Sequence, residues 1–501
     1  MRLYVRNNIL ELINTITEGI EYINKENYEN SRLLIEDCFY AFRSVSEILQ
    51  KYLSEKRFTH YNELIISLEK ALKKYNDSKN DCKEGSEECF NILLHLLNNL
   101  KNTLQDEPEV KIEILFLPYK SSMWDSLESI WVAAKDDSRC DCYVMPIPYY
   151  DRDENRQLAE FHYEGEQFPN YVPITSYLDY NIAERRPDVI YFHNPYDGNN
   201  LVTSVAPEYY SDNLKQYTDM LVYVPYFIAG AYRNAKQASS KCLASGVINA
   251  NRVIVQSEVL RDIYIRNGIS PKKVIALGSP KIDAVLNDNE TLEIPKEWKM
   301  KITGKKVILL NSSIGALLNN PNYMLDLEKI IQNILSNKDV LLLWRPHPLL
   351  EATIKSMRNN FLNAYNKLKR AVKNSENGIL DQSSNSKSAV YVSNAMISDN
   401  SSLIRTYIMS EKPILILESS NSIKHQVLLS CDIYSCYFYN DGISVEKFIE
   451  MVLEGEDPMI DNRVCDYKNS LVNIDGSCGI NTHRYIFNEL QSCISKHNIE
   501  K

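Results

Sequence analysis

From Val110 onward the chain alternates short apolar runs with helical stretches, and after an interruption it does so again. The first series reads "KIEILFLPY", "CYVMPIPYY", "PDVIYFHNPY", "MLVYVPYF", "RVIVQSE" and "KKVIALGSPK". A charged, proline-containing stretch, "NDNETLEIPKEWKMKITGKK", precedes the second: "KVILLNSS", "DVLLLWRPHP", "NGILDQSS", "NAMISDNSS" and "KPILIL". A strand covered by helices on both faces has no polar side to alternate, so it reads as a continuous apolar run. The pattern predicts two consecutive doubly wound α/β domains joined near residues 290–304. Ligand then belongs in the cleft outside the carboxyl ends of the strands.

The residues before this series read as helices. Ile9, Ile13, Ile16, Ile20 and Ile23 recur at three- and four-residue intervals, as do Leu33, Leu34, Cys38, Ala41 and Phe42. The pattern continues over Leu64–Leu72, breaks at "KKYNDSKNDCKEGSEE" and resumes from Phe90 to Leu104, with no proline before Pro108. The expected parts are an all-α module over 1–108, a first α/β domain over 109–290 and a second over 291–501 with a C-terminal helix. The helical module reads first as an extension packed on the main body, and second as a docking element for a partner, a membrane or another copy.

At 501 residues the chain exceeds what one core supports. A net charge of -10 argues against a general nucleic-acid binder. The 11 cysteines are scattered, odd in number and without a CxxC pair, which favours reduced thiols and no metal site. "MRLYVRNNILELI" lacks the apolar core of a secretory leader, and no run reaches the roughly 20 apolar residues of a membrane span. The expectation is a soluble cytoplasmic protein, with peripheral membrane contact left open.

The chemistry concentrates where the second series of strands ends. In "ISDNSSLIRTYIMS", Asp399, Asn400 and Ser401 are good helix N-caps, and a helix start with free N–H groups attracts anions. Ser401 and Ser402 add small hydroxyl donors; the alternative is an ordinary capped helix. In "LLLWRPHPLL", Pro346 and Pro348 stop the strand and fix His347, which either donates to phosphate or acts as an acid, while Arg345 neutralises charge. "NSSIGALL" supplies Asn311, Ser312 and Ser313 in a small-residue turn without GxGxxG or a Walker lysine, and "NGILDQSSN" supplies Asp381, Ser383 and Ser384.

"WRPHP" followed by "ISDNSSL…KPILIL" resembles the C-terminal half of the CDP-glycerol glycerophosphotransferase family, the teichoic-acid polymerase-like enzymes of the GT-B fold. "VIVQSEVLRDIY…VIALGSPKIDAV" is similar to the family's passage between domains. The resemblance implies transfer of glycerol phosphate or ribitol phosphate from a CDP-alcohol to a hydroxyl of a cell-surface polymer or its lipid-linked precursor, teichoic acid or capsule. It implies no metal and no cofactor beyond the donor substrate, and places the protein at the inner membrane face. By the same resemblance His347 binds or protonates the leaving phosphate, Ser401 and Ser402 hold the pyrophosphate, and Asp381 lies near the nucleotide.

The first domain departs from the family. Its acceptor-activating histidine belongs to an "HG" loop, and this chain reads "VYVPYFIAGAYRN" there. His193 in "YFHNPYDGNN" is the nearest candidate, with Asp197 either orienting it as a base or both simply holding the loop. Lys120 and Ser121 in "LPYKSSMWDSL" also face the expected cleft, and Trp124 is either a stacking platform or core. "NIDGSCGINTHRYI" reads as a structural crossing back to the first domain. The rival readings are a nucleotide-sugar glycosyltransferase or epimerase on the same fold, and a degenerate, non-catalytic protein that binds or scaffolds through its N-terminal bundle; separately, the N-terminal helices are a candidate surface for a homo-oligomer.

Overall fold

A computed structural model describes residues 1–25, 28–80, 86–153, 155–229, 231–232, 235–286, 294–383, 386–418, 427–428 and 435–497. The expected junction at 290–291 and Ser384 lie outside the described residues. The chain divides into two compact units. One holds residues 1–113 with the short pieces 138–141 and 186–188; the other holds the rest.

The first unit contains four long helices, α1 (Leu3–Lys25), α2 (Tyr28–Tyr52), α3 (Glu55–Asn80) and α4 (Ser86–Gln105). Their seams repeat in steps of three and four. Ile9, Ile13, Ile16, Ile20 and Ile23 are buried, as are Ile35, Cys38, Phe42, Val45 and Leu49 on α2. Such seams pack antiparallel helices side by side in a bundle. Leu33 stands off the α2 seam, 74% exposed: the stripe runs through Ile35, because only the 35-38-42-45-49 spacing stays on one helix face. No described helix is long and apolar enough to cross a membrane.

The second unit carries two six-stranded sheets. Strands β1 (Ile112–Leu117), β2 (Cys140–Val144), β3 (Val189–Phe192), β4 (Met220–Tyr223), β5 (Arg252–Val255) and β6 (Val274–Ala276) lie in the order β6-β5-β4-β3-β1-β2. The pairings β1–β3, β3–β4, β4–β5 and β5–β6 are parallel. Strands β7 (Lys306–Ser312), β8 (Val340–Pro346), β9 (Gly378–Leu380), β10 (Ala395–Ser398), β11 (Ile414–Ile416) and β12 (Tyr437–Phe438) lie in the order β9-β8-β7-β10-β11-β12, parallel throughout. Every apolar run quoted above falls on one of these strands. This is the pair of doubly wound sheets that the alternation predicts, in the GT-B-like arrangement that the family resemblance implies. Strand order reverses between β1 and β3 in the first sheet, and between β7 and β10 in the second. At such reversals neighbouring connections leave in opposite directions and open a crevice.

The C-terminal helix, Cys478–His497, packs against Glu128–Lys135 of the first α/β domain, as the "NIDGSCGI" crossing implies. Its start is held by Asp283, which accepts from the N–H groups of Cys478 (3.1 Å) and Gly479 (2.7 Å). Lys387 Nζ reaches Glu128 Oε2 at 2.9 Å, a further tie between the two α/β domains. Trp124 is core: it is 3% exposed and packs against Trp131 and Phe168.

Gly479 sits against the Ser129 backbone, where a Cβ would collide with the carbonyl group. Gly479→Ala is therefore expected to lower the unfolding free energy by about 1–3 kcal/mol through overpacking. Urea denaturation at unchanged m-value checks this.

Candidate functional site

Two clefts open among the carboxyl ends of the strands. The larger, about 870 Å³, lies at the β7/β10 reversal and faces Tyr226, Gln237 and Lys241 of the first α/β domain. The smaller, about 390 Å³, lies beside β8 and β9 and faces Lys120, Ser121 and Ser122.

A short hydrogen-bond lock builds the floor of the larger cleft. Asn311, last but one on β7, donates its side-chain N–H to Ser398 Oγ (2.8 Å) and Ser401 Oγ (2.9 Å). Asp399 Oδ2 accepts from the Ser313 N–H at 2.9 Å, joining the turn after β10 to the turn after β7. Ser313 caps the helix Ile314–Asn319 through its own hydroxyl, which accepts from the Ala316 N–H. Ser401 is the N-cap of the short helix Ser402–Tyr407, with an extended backbone and no side-chain cap bond, so its hydroxyl serves Asn311 instead. The first N–H groups of a helix have no intrahelical acceptor. Asn311, Ser312, Asp399, Ser401 and Ser402 all line this cleft.

Asp399 is 6% exposed, and its Oδ1 has no hydrogen-bond partner among the described residues. Burial lifts its carboxyl to about 6; Glu418 adds to this, and the Ser313 donors oppose it. The same wall holds residues the sequence reading missed. Arg405 is 3% exposed and donates to Asn400 Oδ1 and to the Ser401 carbonyl, both at 2.8 Å. It stands one turn beyond Ser401 on the same helix, a spacing that was available to reading. Opposite, Lys241 Nζ donates to Tyr196 OH at 2.7 Å. Nothing in "AKQASSKC" marks that lysine in advance.

The smaller cleft collects the other expected residues. Arg345 is 7% exposed and ion-paired with Asp381 Oδ2 at 2.5 Å, and also donates to Ser383. Asp381 Oδ1 accepts from the Ser383 N–H (2.9 Å) and hydroxyl (2.6 Å). Arg345 is thus neutralised within the protein, and Asp381 orients Arg345 and the turn at Ser383. His347 lies between its prolines as expected. Its backbone N–H donates to the Ser312 carbonyl at 2.9 Å, and its Nδ1 accepts from the Leu349 N–H at 3.1 Å. The neutral ring accordingly carries its proton on Nε2. Burial, then the charges of Arg345 and Lys120, hold its pKa to about 4. His347 and the Ser401–Ser402 pair line different clefts, so the single seat that the sequence suggested is divided.

His193 corrects a second expectation. It sits at the end of β3 but is fully buried, and burial, aided by Lys281, lowers its pKa to about 3. Its Nε2 accepts from the Tyr119 N–H (3.1 Å), and its Nδ1 lies 3.0 Å from Ser126 Oγ. Asp197 does not pair with it: the carboxylate accepts from the Ser211 N–H (3.0 Å) and hydroxyl (2.6 Å). Both ring nitrogens serve the loop after β1, which is a structural duty. Asp151, Glu160 and His162 bring ligand-type atoms within 4.8 Å of one another at the rim of the smaller cleft. His162 Nε2 is already 3.2 Å from Asp151 Oδ2.

Two outcomes are expected. Asp381→Ala should destabilise the fold by about 3–5 kcal/mol, measured by chemical denaturation, because it strands the buried Arg345 charge. Asp399→Asn should remove a pH dependence. In the wild type the unfolded carboxyl releases its proton near 3.8 while the folded one keeps it to about 6. Stability from this group is therefore present at low pH and falls by about 3 kcal/mol as pH rises across that window. Unfolding curves of the two proteins at several pH values should diverge in that sense.

Residues 230–421 match the family described as CDP-Glycerol:Poly(glycerophosphate) glycerophosphotransferase. The resemblance carried by "WRPHP" and "ISDNSSL" is borne out over that span, which contains the floor of the larger cleft and His347 but not Lys120 or His193. No curated protein matches the chain. Among solved structures, a histidine variant of the wall teichoic acid polymerase TagF aligns over 86% of this chain and 99% of its own, at 11% identity and a TM-score of 0.48. A UDP-GlcNAc 2-epimerase from Neisseria meningitidis, bound to UDP-GlcNAc, aligns over 75% and 100%, at 11% identity and a TM-score of 0.47.

Proposed function

We propose, on the premise that residues 230–421 carry a glycerophosphotransferase-family domain, that the protein transfers glycerol phosphate or ribitol phosphate from a CDP-alcohol to a hydroxyl of a cell-surface polymer. The observation that carries the reading is the coincidence of the family segment with the larger cleft. The residues that lock β7 to β10 and line that cleft, Asn311, Ser312, Asp399, Ser401 and Ser402, all fall inside the matched span.

In this reading the donor's pyrophosphate lies at the start of the helix Ser402–Tyr407. The Ser401 and Ser402 hydroxyls and the first helical N–H groups donate to it, and the Arg405 guanidinium behind them supplies positive charge. The acceptor hydroxyl oxygen bonds to the β-phosphorus and its proton passes to solvent water, the bond from that phosphorus to the bridging oxygen of CMP breaks, and CMP leaves with the electron pair. His347 lines the neighbouring cleft and meets this floor through its backbone N–H to the Ser312 carbonyl, so stabilisation of the shifting charge rests on the serine hydroxyls, the helix N–H groups and Arg405. Positioning and charge stabilisation are the main work in phosphoryl transfer. The volume, about 870 Å³, is within the range of nucleotide-sized sites. The reaction calls on no metal or other cofactor, and its polymer acceptor puts the enzyme at the cytoplasmic face of the membrane. The sealed His193 leaves the acceptor-activating base unassigned. That is the one observation favouring the non-catalytic reading.

Calorimetric titration with CDP-glycerol, CMP and UDP-GlcNAc tests the proposal. Cytidine-selective binding that weakens about tenfold in Ser401→Ala is the expected result, the size of one hydrogen bond to a charged group. Uridine-selective binding would move the chain to the nucleotide-sugar enzymes, and no binding would favour a scaffold.

A further inference from the structure

The two clefts treat their cations differently. In the smaller cleft each lysine or arginine faces an acid: Lys120 Nζ stands 3.8 Å from Glu164 Oε1, and Arg345 pairs with Asp381. An anion entering there meets charges already balanced within the protein. In the larger cleft Lys241 is held otherwise. Its ammonium donates to Tyr196 OH at 2.7 Å and lies 4.5 Å from the centroid of the same ring. No carboxylate pairs with it among the described residues. Of the acids that line this cleft, Asp326 accepts from Asn320 Nδ2 at 2.9 Å, Asp399 accepts from the Ser313 N–H, and Glu418 acts on Asp399. The partner of Lys241 is neutral, so its charge is kept for a ligand.

The wall that carries it is built from the first α/β domain. The helix Ala235–Cys242 buries Ala238 and Cys242, and Gln237 and Lys241, one turn apart, line the cleft. Tyr196 follows β3 and Tyr226 follows β4, and both line the same cleft. An ordinary surface lysine keeps its rotamer freedom by extending into water. Lys241 is laid on an aromatic ring and bonded to its hydroxyl, so that freedom is given up before a ligand arrives. A charge ordered in advance takes less from the free energy of binding. The other wall is the floor already described, with Asn311, Ser401 and Ser402.

We propose that Lys241 is the first domain's phosphate-binding residue, its ammonium meeting the donor's β-phosphate, the one transferred, from the wall opposite the Ser401–Ser402 seat. The inference rests on the transferase reading and adds to it the residue that the first α/β domain contributes. In an in-line displacement the attacking and leaving oxygens stand on opposite sides of the phosphorus. CMP leaves on the side of the second-domain floor, so the β-phosphate is the part of the donor that faces the first domain, where Lys241 stands. As the bond to CMP breaks, charge redistributes over the non-bridging oxygens of that phosphate, and an ammonium touching them stabilises it.

The test is calorimetry with CDP-glycerol, CMP and inorganic pyrophosphate on wild type, Lys241→Met and Lys241→Arg. Lys241→Met should weaken CDP-glycerol and pyrophosphate at least about tenfold and CMP by less than about twofold, and Lys241→Arg should restore most of the loss. Equal weakening of CMP would assign the ammonium to the nucleotide's own phosphate and overturn the proposal. So would pyrophosphate binding that is absent from wild type or indifferent to Lys241. If wild type binds pyrophosphate through Lys241 but binds no cytidine nucleotide, the transferase reading falls and the assignment of Lys241 to a phosphate stands. Thermal melts confirm that the variants fold, and Lys241→Gln replaces Lys241→Met if the latter does not.

Discussion

The side-chain amide of Asn311 is the small constraint on which the larger cleft depends. Two strands that run side by side at a reversal of order send their following helices to opposite faces of the sheet, and their ends would otherwise splay. Asn311 reaches across to Ser398 and Ser401, and Asp399 returns the tie to the Ser313 amide. These bonds lie in a largely buried setting, where a polar group without a partner is expensive. They fix the position of the serine hydroxyls and of the helix that follows. Arg405 then fastens that helix start from behind. What would serve a phosphate is thus held in place by side-chain bonds between neighbouring strand ends, with little reliance on the length of the helix itself.

The architecture was legible because burial on both faces leaves a direct mark: "KVILLNSS" and "DVLLLWRPHP" have no polar side to hide. The seam of α1 was legible for a similar reason, since five isoleucines at three- and four-residue spacing can only share one face. Leu33 was misread because a neighbouring leucine carries the same hydropathy, and only packing decides which of two adjacent apolar residues points inward. β12 was missed since two residues, Tyr437 and Phe438, are too short a run to register.

At the site, the serines, Asp399 and His347 were found by their place at strand ends. Sequence could not divide them between clefts, because that division depends on which neighbour in space each strand end meets. His193 illustrates the limit best. Its position after β3 fits a base, but the Tyr119 amide and Ser126 hydroxyl that occupy its nitrogens arrive from a loop more than sixty residues away in the chain. Lys241 and Tyr196 were invisible for the converse reason: neither sits in a motif, and they meet only in the folded wall.

The C-terminal helix adds a mechanical consequence. The chain passes from the first α/β domain to the second after the helix Pro280–Leu286, and it returns before Cys478, where Asp283 of that same helix holds the returning backbone. Asp283 therefore ties the start of the last helix to a helix 195 residues earlier in the chain, so the packing on Glu128–Lys135 is completed only once the C-terminal residues are in place.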